Sequence, residues 1–192
     1  MFREHGTRIT VPPDDPGGWL PLPVRRVPSP NFDDRPPGAE IEVVVVHAIS
    51  LPAGRYGGGC VEALFTNCLD PSLHSDFTEI AGMRVSAHLL VDRRGLVTQF
   101  VALDKRAWHA GVSSCLGRER VNDFSIGIEL EGCDHESFTL VQYRTLADLL
   151  HGLRGRWPVL RKDRIFAHAD IAPGRKTDPG PYFDWTLLRA LL

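Results

Sequence analysis

The chain has 192 residues, 43% of them hydrophobic, enough to bury one sizeable core and near the usual size of a single domain. Its 22 basic and 24 acidic residues leave a formal charge of -2, so no global positive field would draw it to nucleic acid or an anionic membrane. No apolar run approaches the roughly 20 residues that span a bilayer. The first 18 residues are polar and bear Pro and Asp; they lack the basic start, apolar stretch and small-residue cleavage site of a secretion signal, which predicts a cytoplasmic protein. Cys60, Cys68, Cys115 and Cys133 show no CxxC spacing, and free thiols are expected, with a Cys60 to Cys68 bridge left open.

Residues 1–38 hold most of the 15 prolines and no sustained periodicity, so they predict an arm or wrapped loop. Residues 1–23 are assigned to this extension, with core structure beginning after residue 38. The run Ile41 to Val46 is β-branched and almost continuously apolar, which suits a central strand covered on both faces. His47 stands at its end. Four glycines between Gly54 and Gly59 predict a flexible loop over residues 50–60. Residues 61–69 read as weakly helical and stop at Asp70-Pro71.

Residues 85–90 and 96–101 read as a hairpin joined through Asp92-Arg93-Arg94-Gly95. Residues 125–130 alternate Ile126, Ile128 and Leu130 with Ser125, Gly127 and Glu129, a period of two that marks a strand and puts Glu129 and Glu131 on one face. From Thr139, a plausible N-cap, Leu140, Val141, Leu146, Leu149, Leu150 and Leu153 predict a helix with one buried stripe. Residues 164–167 read as a short strand leading to His168, and residues 184–192 as a closing helix capped by Asp184. Strands interleaved with helices give an α/β fold: a single domain, residues 24–192, with a central mixed β-sheet flanked by helices.

Histidine and carboxylate are ordinary zinc ligands, and a catalytic zinc keeps three protein ligands and one open position. His47 and His168 each follow an apolar strand, and Asp178 lies across a Pro- and Gly-bearing loop able to turn back toward His168. There is no HExxH, and the chain has 8 histidines, so spacing alone offers these three only as one possible site.

Ordered blocks over most of the chain add to this. They include Arg26-Val27-Pro28-Ser29-Pro30, Val45-Val46-His47, Arg84-Val85-Ser86-Ala87-His88, Arg106-Ala107-Trp108-His109-Ala110-Gly111, Ser125-Ile126-Gly127-Ile128-Glu129-Leu130-Glu131 and Lys176-Thr177-Asp178-Pro179-Gly180. From residue 27 to about residue 191 the chain thereby resembles the N-acetylmuramoyl-L-alanine amidase family, related to peptidoglycan recognition proteins, and in particular its cytoplasmic branch acting on anhydro-muramyl peptides. The resemblance implies one Zn2+ per chain on His47, His168 and Asp178, with Glu129 and Lys176 as catalytic residues. It implies hydrolysis of the amide between (1,6-anhydro-)N-acetylmuramic acid and L-alanine in peptidoglycan fragments, during cell-wall recycling. Zinc would bring its water to a pKa near 7, Glu129 would move the proton, and Lys176 would stabilise the oxyanion. Arg84 and Arg120 match positions that contact the substrate peptide, whose carboxylates suit the guanidinium fork. Trp108 and His109 would line the cleft against the sugar.

Blander roles stand beside these. His88 and His74 are expected as hydrogen-bonded interior residues, and His5, His135 and His151 as solvent-facing. Trp108 could serve packing as well as stacking, and Arg84 and Arg120 could be surface ion-pair partners. Glu131 is expected to make a structural hydrogen bond and Asp170 to cap the turn at His168. The family's cytoplasmic members usually carry Asn after the first zinc histidine; here Ala48 stands there, which leaves fine substrate preference open. The partner expected is a soluble muropeptide met by a monomer, with neither nucleic acid nor membrane involved. The alternatives are an amidase of intact peptidoglycan and a non-catalytic peptidoglycan-binding module.

Overall fold

The computed structural model describes residue 11, residues 17–21 and residues 23–192. The strands are β1 (Arg25–Arg26), β2 (Phe32–Asp33), β3 (Val43–Ile49), β4 (Leu89–Val91), β5 (Val97–Gln99), β6 (Arg106–Ala107), β7 (Ser114–Cys115), β8 (Arg118–Glu119), β9 (Ser125–Glu131) and β10 (Ile165–Ala167). The α-helices are α1 (Cys60–Phe65), α2 (Leu140–Arg156), α3 (His168–Ile171) and α4 (Trp185–Leu191). Six strands form one sheet in the order β1-β5-β4-β9-β3-β10, flanked by two small two-stranded pairs, β2-β6 and β7-β8. The β4–β5 hairpin is antiparallel, while β3 runs parallel to both β9 and β10. The mixed α/β architecture is therefore the one expected.

Alternation along β3 and β9 divides the molecule. Val44 and Val46 with Ile126, Ile128 and Leu130 pack on one side with Leu146, Leu149 and Leu153 of α2. Val43 and Val45 point the other way, into a cluster with Ala110, Val121, Phe124 and Ile171. Side chains alternate between the faces of a strand, so His47 shares this second face, as do Ser125, Gly127 and Glu129. All of β9 is buried; His109, from the segment between β6 and β9, covers Ser125 and Gly127 on the polar face. Arg35 holds that segment down: its guanidinium donates to the carbonyls of Leu103, Asn122, Asp123 and Ser125.

Helix α2 begins as expected, at a capping box. The Thr139 hydroxyl accepts from Gln142 N at 3.2 Å, and the Gln142 side chain accepts from Thr139 N at 3.0 Å. Its buried stripe starts later than the sequence suggests. Leu140 and Val141 are exposed, and the buried positions begin at Gln142, whose amide donates to Val91 and Glu131 carbonyls. Helix α4 is capped by Asp184, which accepts from Leu187 N.

Three expectations need correction. Core structure does not wait for residue 38: Leu20, Val24, Ser29 and Asn31 are buried, β1 pairs with β5 and β2 with β6. Prolines forbid a helix there but tolerate short edge strands. Val11 and Leu20 of the extension join the main core. The strand expected from residue 85 begins only at Leu89, since the Val85 carbonyl is taken by the Asn31 side chain and the Ser86 amide pairs with Trp108. His74 is half-buried in a surface turn, its ring accepting from Asp76 N.

The remaining bland readings hold where they can be seen. His88 is fully buried, accepting from Gly127 N at Nδ1 and facing the Lys105 carbonyl at Nε2. His135 and His151 are exposed; His5 lies outside the described residues. Glu131 accepts from Gly57 N and Arg93 N, and Asp170 from Ala167 N. All four cysteines are free.

Candidate metal centre

Strand register builds the centre. His47 lies opposite Glu129 across β3 and β9, and Val46 lies opposite Ala167 across β3 and β10. His168, the residue after Ala167, thus arrives beside His47. Asp178 is returned to both by its loop, its carbonyl accepting from Ala169 N at 3.0 Å. This is the edge of a largely parallel sheet where α/β proteins place their sites, outside the carboxyl ends of strands.

The ligand atoms of His47, His168 and Asp178 lie within 4.8 Å of one another. His47 Nδ1 is 2.9 Å from His168 Nδ1 and 3.2 Å from Asp178 Oδ2, and His168 Nδ1 is 3.1 Å from the same oxygen. Both rings are buried, at 2% and 3% exposure. His168 Nε2 is 3.2 Å from the Ala110 carbonyl. A carbonyl only accepts, so Nε2 carries a proton, and Nδ1 is the atom turned toward His47 and Asp178. Three atoms able to serve as metal ligands thus share one small space. The donor set, two imidazoles and a carboxylate, fits a metal cation such as zinc.

The electrostatics agree with a neutral His47 ring. Burial pushes the His47 imidazole down to about 4, against the pull of Asp178. Burial alone would raise the Asp178 carboxyl, but hydrogen bonds to His168 and His47 hold it well below the usual carboxylate range. Glu129 is 8% exposed, and its Oε2 has no hydrogen-bond partner among the described residues. Burial drives its carboxyl well above the ordinary range, Asp178 adding to the rise and Lys176 opposing it. Lys176 itself is exposed on the loop bearing Asp178.

Two clefts flank this centre. One, of about 740 Å³, is lined by Ala48, Ser50, Gly54, Cys133, Lys176 and Asp178 among others. The second, of about 570 Å³, is lined by Val112, Glu119, Arg120 and Pro173 among others. Arg175 borders both and donates to the Ala110 and Val112 carbonyls at 2.6 Å. Arg120 is exposed in that second wall, 3.3 Å from Asp123. Arg84 is exposed in the loop before β4 and lines neither cleft. Trp108 is half-buried, its indole N–H donating to Asp33. His109 lies against His47, its Nδ1 2.9 Å from His47 Nε2. Sequence reasoning gave no role to Ser125, although it opens one of the ordered blocks, or to Arg175; Gly127 inside an alternating strand was the signal of a close approach.

Fold and centre define a class: a mixed-sheet α/β domain whose two histidines and aspartate form a group that could hold a metal ion. Residues 37–181 match the N-acetylmuramoyl-L-alanine amidase family, and the chain belongs to it. It is 54% identical over 175 residues to the 1,6-anhydro-N-acetylmuramyl-L-alanine amidase AmpD of Salmonella typhimurium strain SL1344, covering 91% of this chain and 92% of that protein. A crystal structure of an AmpD selenomethionine derivative superposes with a TM-score of 0.88 at 53% identity, over 92% of this chain and 97% of that one. Escherichia coli AmiD, solved with anhydro-N-acetylmuramic acid-L-Ala-D-gamma-Glu-L-Lys, matches with a TM-score of 0.58 at 30% identity, over 82% of this chain and 60% of that one. The chain is accordingly an amidase of peptidoglycan. Among the described residues, no helix is long and apolar enough to cross a membrane.

Proposed function

We propose that this amidase uses one zinc ion, held by His47, His168 and Asp178, to hydrolyse the amide between 1,6-anhydro-N-acetylmuramic acid and L-alanine in soluble peptidoglycan fragments. The observation that carries the metal assignment is the meeting of three atoms able to serve as metal ligands within 4.8 Å. The substrate assignment rests on the activity named for the AmpD relatives.

Zinc at such a site supplies Lewis acidity, polarising the scissile carbonyl and acidifying water at its open position. Glu129 takes a proton from the attacking water and returns it to the alanine nitrogen as the C–N bond breaks. Its raised carboxyl suits both halves of that transfer, since a general acid–base works best with a pKa near the working pH. Lys176 sets its positive charge beside the oxyanion that develops on the carbonyl oxygen. Arg120 and Arg84 are assigned to the peptide carboxylates, Arg120 from the wall of the second cleft, and Trp108 to the sugar-facing edge. The catalytic domain is taken as residues 24–192, with residues 1–23 as an N-terminal extension. The protein acts as a cytoplasmic monomer; its four free thiols suit a reducing compartment.

The test is mass spectrometry of products from anhydro-muropeptides, reducing-end muropeptides and whole sacculi. Release of the free peptide from the anhydro form is expected. Digestion of sacculi with anhydro-muropeptides untouched would contradict the substrate assignment, and binding without cleavage would make the chain a recognition module.

A further inference from the structure

His109 was expected at the substrate, yet its ring is held between a candidate metal ligand and the sheet. Nδ1 is 2.9 Å from His47 Nε2, and Nε2 is 3.1 Å from Ser125 Oγ. The His47 and His109 rings meet edge to face with centroids 5.0 Å apart. The backbone on either side is fixed as well, since His109 N and Ala110 N both donate to the Asn122 side chain.

Gly127 completes the seat. A Cβ added there would stand 2.4 Å from His109 Cγ and 2.6 Å from its Nδ1, so the ring occupies the space a side chain would take. On β9, Ser125, Gly127 and Glu129 share one face: Ser125 binds the outer end of the ring, Gly127 lies beneath it, and Glu129 stands opposite His47. The absence of a side chain at position 127 is thereby explained by what it makes room for.

Two proton arrangements satisfy this chain of contacts. In one, His109 Nδ1–H donates to His47 Nε2, and His47 must carry its own proton on Nδ1, facing Asp178. In the other, His47 Nε2–H donates to His109 Nδ1, and His109 Nε2–H donates to the Ser125 hydroxyl. Only the second leaves the His47 Nδ1 lone pair free beside those of His168 and Asp178. A hydroxyl both donates and accepts, so Ser125 can serve either arrangement.

We propose that His109 is a positioning residue: with Ser125 it fixes the rotation of His47 and the tautomer that presents Nδ1 to the metal. This rests on the metal assignment above. Partners that hold the far nitrogen of a metal-bound histidine typically change metal affinity by roughly 10–100-fold when removed.

The experiment measures zinc affinity by chelator competition in the full chain, alongside stoichiometry and the kinetics of the zinc-saturated enzyme. His109→Phe keeps a ring over Gly127 but removes the acceptor, and affinity should fall by roughly 10–100-fold. His109→Gln offers an acceptor oxygen and should recover most of the loss. Ser125→Ala, which removes the outer partner alone, should weaken binding by a smaller factor. An unchanged affinity in His109→Phe, or a rise in KM alone, overturns the proposal. If His109→Phe does not fold, Ser125→Ala decides, and wild-type affinity there overturns it. A wild-type chain that takes up no zinc would instead overturn the metal assignment itself.

Discussion

His47 and Glu129 stand directly opposite each other in the parallel pairing of β3 and β9. One is a buried neutral ring and the other a buried carboxyl with an unpartnered oxygen. The sheet thus fixes the distance between the candidate metal site and the candidate proton carrier through backbone hydrogen bonds, with no loop intervening.

Replacing Glu129 by Gln should separate catalysis from metal binding. The side chain keeps its size and loses its proton-transfer capacity, so kcat should fall by about 10²–10⁴-fold with zinc content unchanged. Stability should move the other way. Burial raises the folded carboxyl well above its ordinary value, so its contribution is present below the unfolded pKa and lost as pH rises through the folded one. Glu129→Gln escapes that loss, and the metal-free variant should melt higher than the wild type at neutral and alkaline pH. Near wild-type kcat with full zinc would remove Glu129 from the mechanism.

Lys176→Met should lower kcat by about 10²–10³-fold with KM little changed, because a charge aimed at a developing oxyanion acts in the transition state more than in the ground state. Steady-state kinetics on one defined muropeptide checks this. A loss confined to KM would make Lys176 a substrate contact.

Acid should destabilise the metal-free protein, and His88 should account for part of that. Burial, with the Arg35 guanidinium adding to it, pushes the His88 imidazole down to about 3. An unfolded histidine titrates near 6.5, so in the interval the unfolded chain binds more protons. The stability this group contributes is present above the unfolded value and lost as pH falls. His88→Gln should flatten the fall in urea-unfolding free energy between about pH 7 and pH 4. An unaltered slope would show that His88 does not titrate on unfolding.

Thr139→Ala should cost about 1 kcal/mol by removing the cap of α2, while Leu149→Ala, fully buried against the sheet, should cost about 2–5 kcal/mol. Chemical denaturation of the two variants tests whether the helix is held mainly by its packed face.

Much of this was legible in the chain. The unbroken valine run named β3, the alternation named β9, and Thr139 and Asp184 announced the starts of α2 and α4, because these signals are local. The ordered blocks pointed to His47, His168 and Asp178, which the sheet register brings together. What stayed hidden depended on contacts between distant segments. The prolines of the arm spoke against a helix but could not announce β1 or β2, which exist only through β5 and β6. Leu140 and Val141 fitted the helical stripe by period, yet both are exposed in the first turn, where Gln142 and Tyr143 take the buried positions. His109 sat in a block that suggested the cleft, and only folding shows its ring resting over Gly127 and against His47.

The most direct measurement of the central claim is metal content per chain, by elemental analysis, of the wild type and of His168→Ala and Asp178→Ala, paired with hydrolysis of an anhydro-muropeptide. The expected result is one zinc per wild-type chain, loss of both metal and activity in the two variants, and loss of activity on chelation that added zinc reverses. Full activity in chelated wild type, or stoichiometric zinc retained by both variants, would contradict it.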